Sequence, residues 1–199
     1  MKKVISQRIP SGQPKALAYR LERELQDCFE QLNVTGPIRR RLQYCDSIEF
    51  VAIPIMYESG ALLKAYADKD KRMEIVSPNS FAYQLTKSYW IKCKIHYADI
   101  ERFYTDLWVT TGPQDMIVDC TINRSDNGLL DNKFYYDNGF YYAVDDIIPV
   151  MSDVITHKAG ELAYISNEET IFTMCGLDYI HPDNRHNWKH YIKLMSQIS

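Results

Sequence analysis

The sequence predicts an α+β protein, with an α/β part to about residue 122 and a smaller, hairpin-bearing part after it. Three observations predict this. An apolar stripe of helical period opens the chain, short β-rich runs at Ile48 to Ile55 and Trp90 to His96 supply a sheet, and Asp137-Asn138-Gly139 between two aromatic strings marks a hairpin.

From Gln13 to Leu32, the residues Leu17, Leu21, Leu25, Phe29 and Leu32 recur at spacings of three and four, one face of an amphipathic helix that Ser11 and Pro14 begin. Asn33-Val34-Thr35-Gly36-Pro37 then breaks it, because Gly and Pro favour a turn. Ile48 to Ile55 reads as a strand ended by Pro54, and side-chain alternation puts Ser47 and Glu49 on one of its faces. Ser59 to Tyr66 predicts a short helix and Asp68 to Arg72 a charged loop.

Tyr89 to Tyr97 and Phe103 to Thr110 both alternate and read as two paired strands, which places Asp106 on the second. Gly112-Pro113 opens a helix over Gln114 to Ile122, with Asp115 suited to its positive end. The polar, glycine-containing stretch Asn123 to Asn132 is the expected boundary between a domain over 1–122 and a C-terminal subdomain over 123–199. Phe134 to Tyr142 is the hairpin, its Asn-Gly supplying the positive φ angles of a tight turn, and its aromatics are expected to pack on the sheet. Val154 to Thr156 and Leu162 to Ile165 extend it. Ser166-Asn167-Glu168-Glu169 caps a short helix through Met174 that Gly176 ends.

With 46% apolar and 25% charged residues, the composition is that of a soluble globular protein. A net charge of -3 and a pI near 6.0 exclude a protein that holds nucleic acid by bulk phosphate attraction, so any such binding is local, with Arg39-Arg40-Arg41 the densest basic cluster. The five cysteines are scattered and never spaced as CxxC, which excludes a disulfide framework and a structural zinc site and suits a reducing compartment. Met1-Lys2-Lys3-Val4 lacks an apolar core of secretory length and no window approaches a membrane span, so the expectation is a cytoplasmic protein without a membrane partner. No pattern sets an oligomeric state.

Three groups of residues carry a resemblance. The turn Gly36-Pro37-Ile38-Arg39-Arg40 precedes Ser47-Ile48-Glu49. Thr105-Asp106-Leu107-Trp108 leads into the helix after Gly112, and the tail from Ser166 to Arg185 includes Glu168-Glu169, Phe172, Gly176-Leu177, Tyr179, Pro182 and Arg185. Together they resemble, in order, the motifs of the X family of DNA polymerases, the polymerase β-like branch of the nucleotidyltransferases, across most of residues 13 to 188. The resemblance implies a polymerase β-like palm, a mixed sheet flanked by helices, followed by a small α/β thumb-like subdomain.

The same resemblance implies a site. Nucleotidyl transfer in that superfamily uses two metal ions held by three carboxylates, two from one strand and one from its neighbour. The matching positions are Ser47, Glu49 and Asp106, and Asp46 enters only if a bulge re-aims its side chain. Gly36, Arg39 and Arg40 are the implied phosphate-binding turn, and Mg2+ or Mn2+ the implied cofactor if the site is active.

Three departures accompany the match: Pro37 offers neither hydroxyl nor N–H to phosphate, Ser47 is neutral where a metal ligand is ionised, and Asn123-Arg124-Ser125 lacks the glycine of the family's nucleotide-seating turn. The sequence therefore predicts a polymerase X-like protein impaired or inactive in catalysis, with nucleotide triphosphate or nucleic acid as its partner. Two alternatives stand beside it. One is an active nucleotidyltransferase using Glu49, Asp106 and Asp46; the other is an interaction module that binds no free nucleotide. His181, His186, His190 and Cys175 fit no zinc pattern and read as structural or surface residues.

Overall fold

A computed structural model of the chain describes residues 4–5, 8–144 and 160–195. Two short strands, β1 (Val4–Ile5) and β2 (Ile9–Pro10), precede helix α1 (Gly12–Glu24), which buries Pro14, Leu17, Ala18 and Leu21. The helix stops earlier than its apolar spacing predicts. After a 3-10 turn at Gln26–Cys28 the chain forms strand β3 (Phe29–Thr35).

The reason is a register shift between Phe29 and Gln31: the irregularity lets Phe29 and Leu32, an odd number of residues apart, both reach the core from a strand. A spacing of three therefore mimics helical period. The outer edge of β3 is covered by side chains of the preceding segment, since Glu22 Oε1 accepts from the Val34 N–H at 2.7 Å and Gln26 Nε2 donates to the Leu32 carbonyl at 3.2 Å.

Helix α2 (Gly36–Arg39) is the expected turn, followed by β4 (Tyr44–Cys45) and β5 (Ser47–Pro54). Next come α3 (Ser59–Lys69), β6 (Met73–Ser77), β7 (Ser80–Thr86) and β8 (Tyr89–Tyr97). The mixed sheet runs β3-β5-β8-β7-β6, parallel only between β5 and β8, and β1 adds a short parallel pairing to β8. One face, with Ile48, Phe50, Ala52, Phe81, Ile91 and Cys93, packs against Leu17 and Leu21 of α1 and Leu63 of α3.

Phe103 to Thr110, expected as a strand beside Tyr89 to Tyr97, is instead helix α4 (Phe103–Thr111). Its aromatic and β-branched residues favour strand locally, but Phe103, Leu107 and Thr111 are buried at helical spacing, and Phe103 and Leu107 cover Val51 and Ile53 on the sheet's other face. Tertiary burial decides. Asp106 accordingly lies on a helix and not on a neighbouring strand.

Helix α5 (Gln114–Thr121), hairpin strands β9 (Phe134–Asp137) and β10 (Phe140–Ala143), α6 (Glu168–Met174) and α7 (Trp188–Met195) complete the fold. Asn138 and Gly139 take the positive φ angles, 49° and 92°, that the hairpin turn needs. Leu162 adds a single bridge to Tyr142, while Val154 to Thr156 lies outside the described residues. A second core joins Trp108 of α4, Met116 and Cys120 of α5, Tyr141 and Phe172. Asn167 caps α6 by accepting from the Thr170 N–H, and Gly176 follows with φ 65°. Among the described residues no helix is long and apolar enough to cross a membrane.

Candidate functional site

Alternation along β5 sends Ile48 into the first core and leaves Ser47 and Glu49 on the opposite face, as expected. Their contact proves the shared face: Ser47 Oγ donates to Glu49 Oε1 at 2.8 Å. The parallel register with β8 pairs Ser47 with Lys92, Glu49 with Lys94 and Val51 with His96. Register partners project to the same side of a sheet. The strand adjoining Ser47 and Glu49 thus presents two lysines and a histidine on this face, and no carboxylate.

Lys94 Nζ lies 3.2 Å from Glu49 Oε1, and His96 Nε2 lies 3.2 Å from Glu49 Oε2. Burial pushes the Glu49 carboxyl up, but the hydrogen bonds from His96 and Ser47 and the charge of Lys94 outweigh it and hold the group down at about 2. Glu49 is therefore an anion already paired with the Lys94 ammonium and hydrogen-bonded by His96 and Ser47. Asp46 sits at the bend before β5, outside the strand's alternation, and its Oδ1 lies 3.2 Å from Ser47 Oγ. One hydroxyl proton serves one of these two carboxylates at a time.

Asp106 does not join them. On α4 it accepts from Arg102 Nη2 at 3.1 Å, one helical turn earlier, and burial raises its pKa against the opposing pull of Arg102. Among the described residues no three His, Cys, Asp or Glu side chains are grouped to hold a metal. A hard dication needs several free oxygen ligands, whereas both Glu49 oxygens are already engaged. The residues present do not fit Mg2+ or Mn2+. His181, His186 and His190 are exposed, and Cys175 is buried with its thiol directed at the Cys120 carbonyl.

The phosphate-binding turn is also rearranged. Gly36 leaves β3 with φ 68°, and a side chain there would stand 3.5 Å from Glu49, so the backbone angle rather than space demands glycine. Arg39, expected to face phosphate, instead pairs with Glu168 at the start of α6 through both terminal nitrogens and donates to Thr111 Oγ1 at 2.8 Å. Glu168 also accepts from Arg185 Nη1 at 2.8 Å, and Arg185 is fully buried over the Phe172 and Tyr179 rings. The two guanidinium groups keep Glu168 ionised against its burial. Arg41 pairs with Asp183 at 2.7 Å. This set ties α2 to the C-terminal tail.

Arg40 is the member of the triplet left facing the site. Its buried Nε has no hydrogen-bond partner, its guanidinium lies against Gly112, and burial and the nearby Arg185 charge lower its pKa while Glu49 opposes them. The site is thus Arg40, Ser47, Glu49, Lys92, Lys94 and His96. Sequence reasoning missed Lys92, Lys94 and His96. The signal was there in the alternation of the Trp90 to His96 strand, and pairing that strand directly with the Ser47-Glu49 strand would have found them. No protein-family model matches the chain, and no curated protein matches it.

Proposed function

We propose that this chain is a polymerase X-like protein of nucleotidyltransferase fold that binds phosphate-bearing ligands, nucleotide or nucleic acid, and no longer transfers nucleotides. The observation that carries this reading is the pairing of Ser47 with Lys92 and of Glu49 with Lys94, which fills with cations the face where a transfer site gathers metal-binding carboxylates. The ordered motifs support the ancestry. So does the link of Arg39 in the first motif to Glu168 and Arg185 in the last, because it gives three resembling positions one shared structural purpose.

The active alternative keeps one support: Asp46 and Glu49 both reach the Ser47 hydroxyl. A nucleotide-incorporation assay on primed and unprimed DNA, with Mg2+ and then Mn2+, separates the two. The proposed reading expects no product above background. Incorporation that disappears in Glu49→Gln would sink it.

A further inference from the structure

A transfer site of the metal type neutralises phosphate with bound dications, whereas this face carries fixed charges of its own. Lys92 is exposed and makes no ion pair or hydrogen bond among the described residues. Lys94 stands two residues along the same strand, about 6.6 Å away at the backbone. Glu49 anchors its ammonium from one side and leaves the side chain 41% exposed. The neighbours across the sheet are small: Ser47 and Ala82 flank Lys92, and Ser80 flanks Lys94 on β7.

Arg40 completes the set from the end of α2, where it is the residue that follows the helix. It approaches Glu49 from the turn, and its buried Nε lacks a partner although a guanidinium has five N–H groups to satisfy. Within the site both Glu49 oxygens are taken up by Lys94, His96 and Ser47, so Lys92 has no ion pair among the described residues and Arg40 feels Glu49 only through its charge, without a hydrogen bond to it. A guanidinium with an unpartnered Nε on one side of Glu49 and the Lys92 and Lys94 ammonium groups of β8 on the other are together complementary to an anion with several oxygens.

We propose that Arg40, Lys92 and Lys94 form a metal-independent site for the phosphate groups of a nucleotide or a nucleic-acid strand, so that divalent metal competes with the site instead of completing it. The proposal rests on the phosphate-binding reading above and adds the sign of its metal dependence. Mg2+ chelates a polyphosphate and lowers the charge available to the lysines. A carboxylate site gains affinity from the same ion.

Calorimetric titration of the full chain with ATP, inorganic tripolyphosphate and a single-stranded oligonucleotide, each in EDTA and in millimolar Mg2+, tests this and tells free nucleotide from strand. The expected result is binding in EDTA that weakens several-fold in Mg2+ and falls about tenfold for each of Lys92→Ala and Lys94→Ala. Both lysines are solvent-accessible, so the variants should fold, which thermal unfolding checks. Ser47→Asp with Lys92→Asp, placing three carboxylates together with Glu49, should reverse the metal dependence. Binding only in Mg2+, or binding indifferent to both lysines, overturns the inference and leaves the proposed function standing. No binding of any probe under either condition overturns both.

Discussion

Replacing Glu168 by alanine tests whether the arginine–carboxylate set holds the C-terminal tail to the sheet. Glu168 is 5% exposed and receives hydrogen bonds from Arg39 and from Arg185, which is 0% exposed. Its removal strands one fully buried guanidinium and one largely buried one. Breaking a buried ion pair from one side costs about 3–5 kcal/mol, because the remaining charge stays desolvated without a partner. For a chain of this size each kcal/mol shifts the midpoint by about 2–4 °C, so the loss should be on the order of 6–20 °C. Circular dichroism against temperature and urea measures it. Glu168→Gln, which keeps the shape and can still accept a hydrogen bond, should lose less, and Arg185→Met in the Glu168→Met background should recover much of the loss. A loss below about 1 kcal/mol for Glu168→Ala would refute the reasoning, since it would mean that water or another anion satisfies Arg185 as well as Glu168 does.

The other predictions concern the site and the first core. The Glu49 carboxyl titrates at about 2 in the fold against 4.5 ordinarily, so its ionised form stabilises the protein above about pH 4.5 and that contribution is lost as pH falls toward 2. It amounts to about 3 kcal/mol, and Glu49→Gln should flatten the stability–pH curve across that window; an unchanged acid limb argues against the Lys94 and His96 contacts. Burial raises the Asp106 pKa, so ionisation there costs stability at neutral pH and offsets an i,i+4 pair with Arg102 of about 0.3–0.5 kcal/mol. Asp106→Asn should be close to neutral in urea unfolding and without effect on phosphate binding, and a loss above about 1.5 kcal/mol would contradict this. Leu21→Ala in the fully buried first core should cost about 2–5 kcal/mol by the same measurement, and a smaller loss would mean that α1 does not hold that face of the sheet.

Local chemistry made the strand at Ile48 to Ile55, the Asn-Gly hairpin and the capped helix at Glu168 readable, because turn residues and alternation at these places agree with the tertiary packing. The misread elements are those where the two conflict. Phe29 and Leu32 matched a helix because a strand irregularity reproduced the helical spacing. Phe103 to Thr110 matched a strand because Tyr104, Thr105, Val109 and Thr110 favour one, although the buried positions recur every four residues. The resemblance named Asp106 as the third ligand and the strand reading set it next to Ser47 and Glu49, whereas it lies on a helix and the register sets Lys92 beside Ser47. The role of Arg39 could not be read locally at all, since its partner Glu168 lies 129 residues away.

The covering of β3 by Glu22 and Gln26 bears on assembly. Both side chains occupy outward backbone groups of that edge, so the sheet cannot be lengthened there by another strand without first losing them. The opposite rim, β6, keeps Ile75 and Val76 exposed. A sheet open at one rim can close a two-fold pair and then has no rim left to offer. Among the described residues the sheet thus offers another copy one rim and not two.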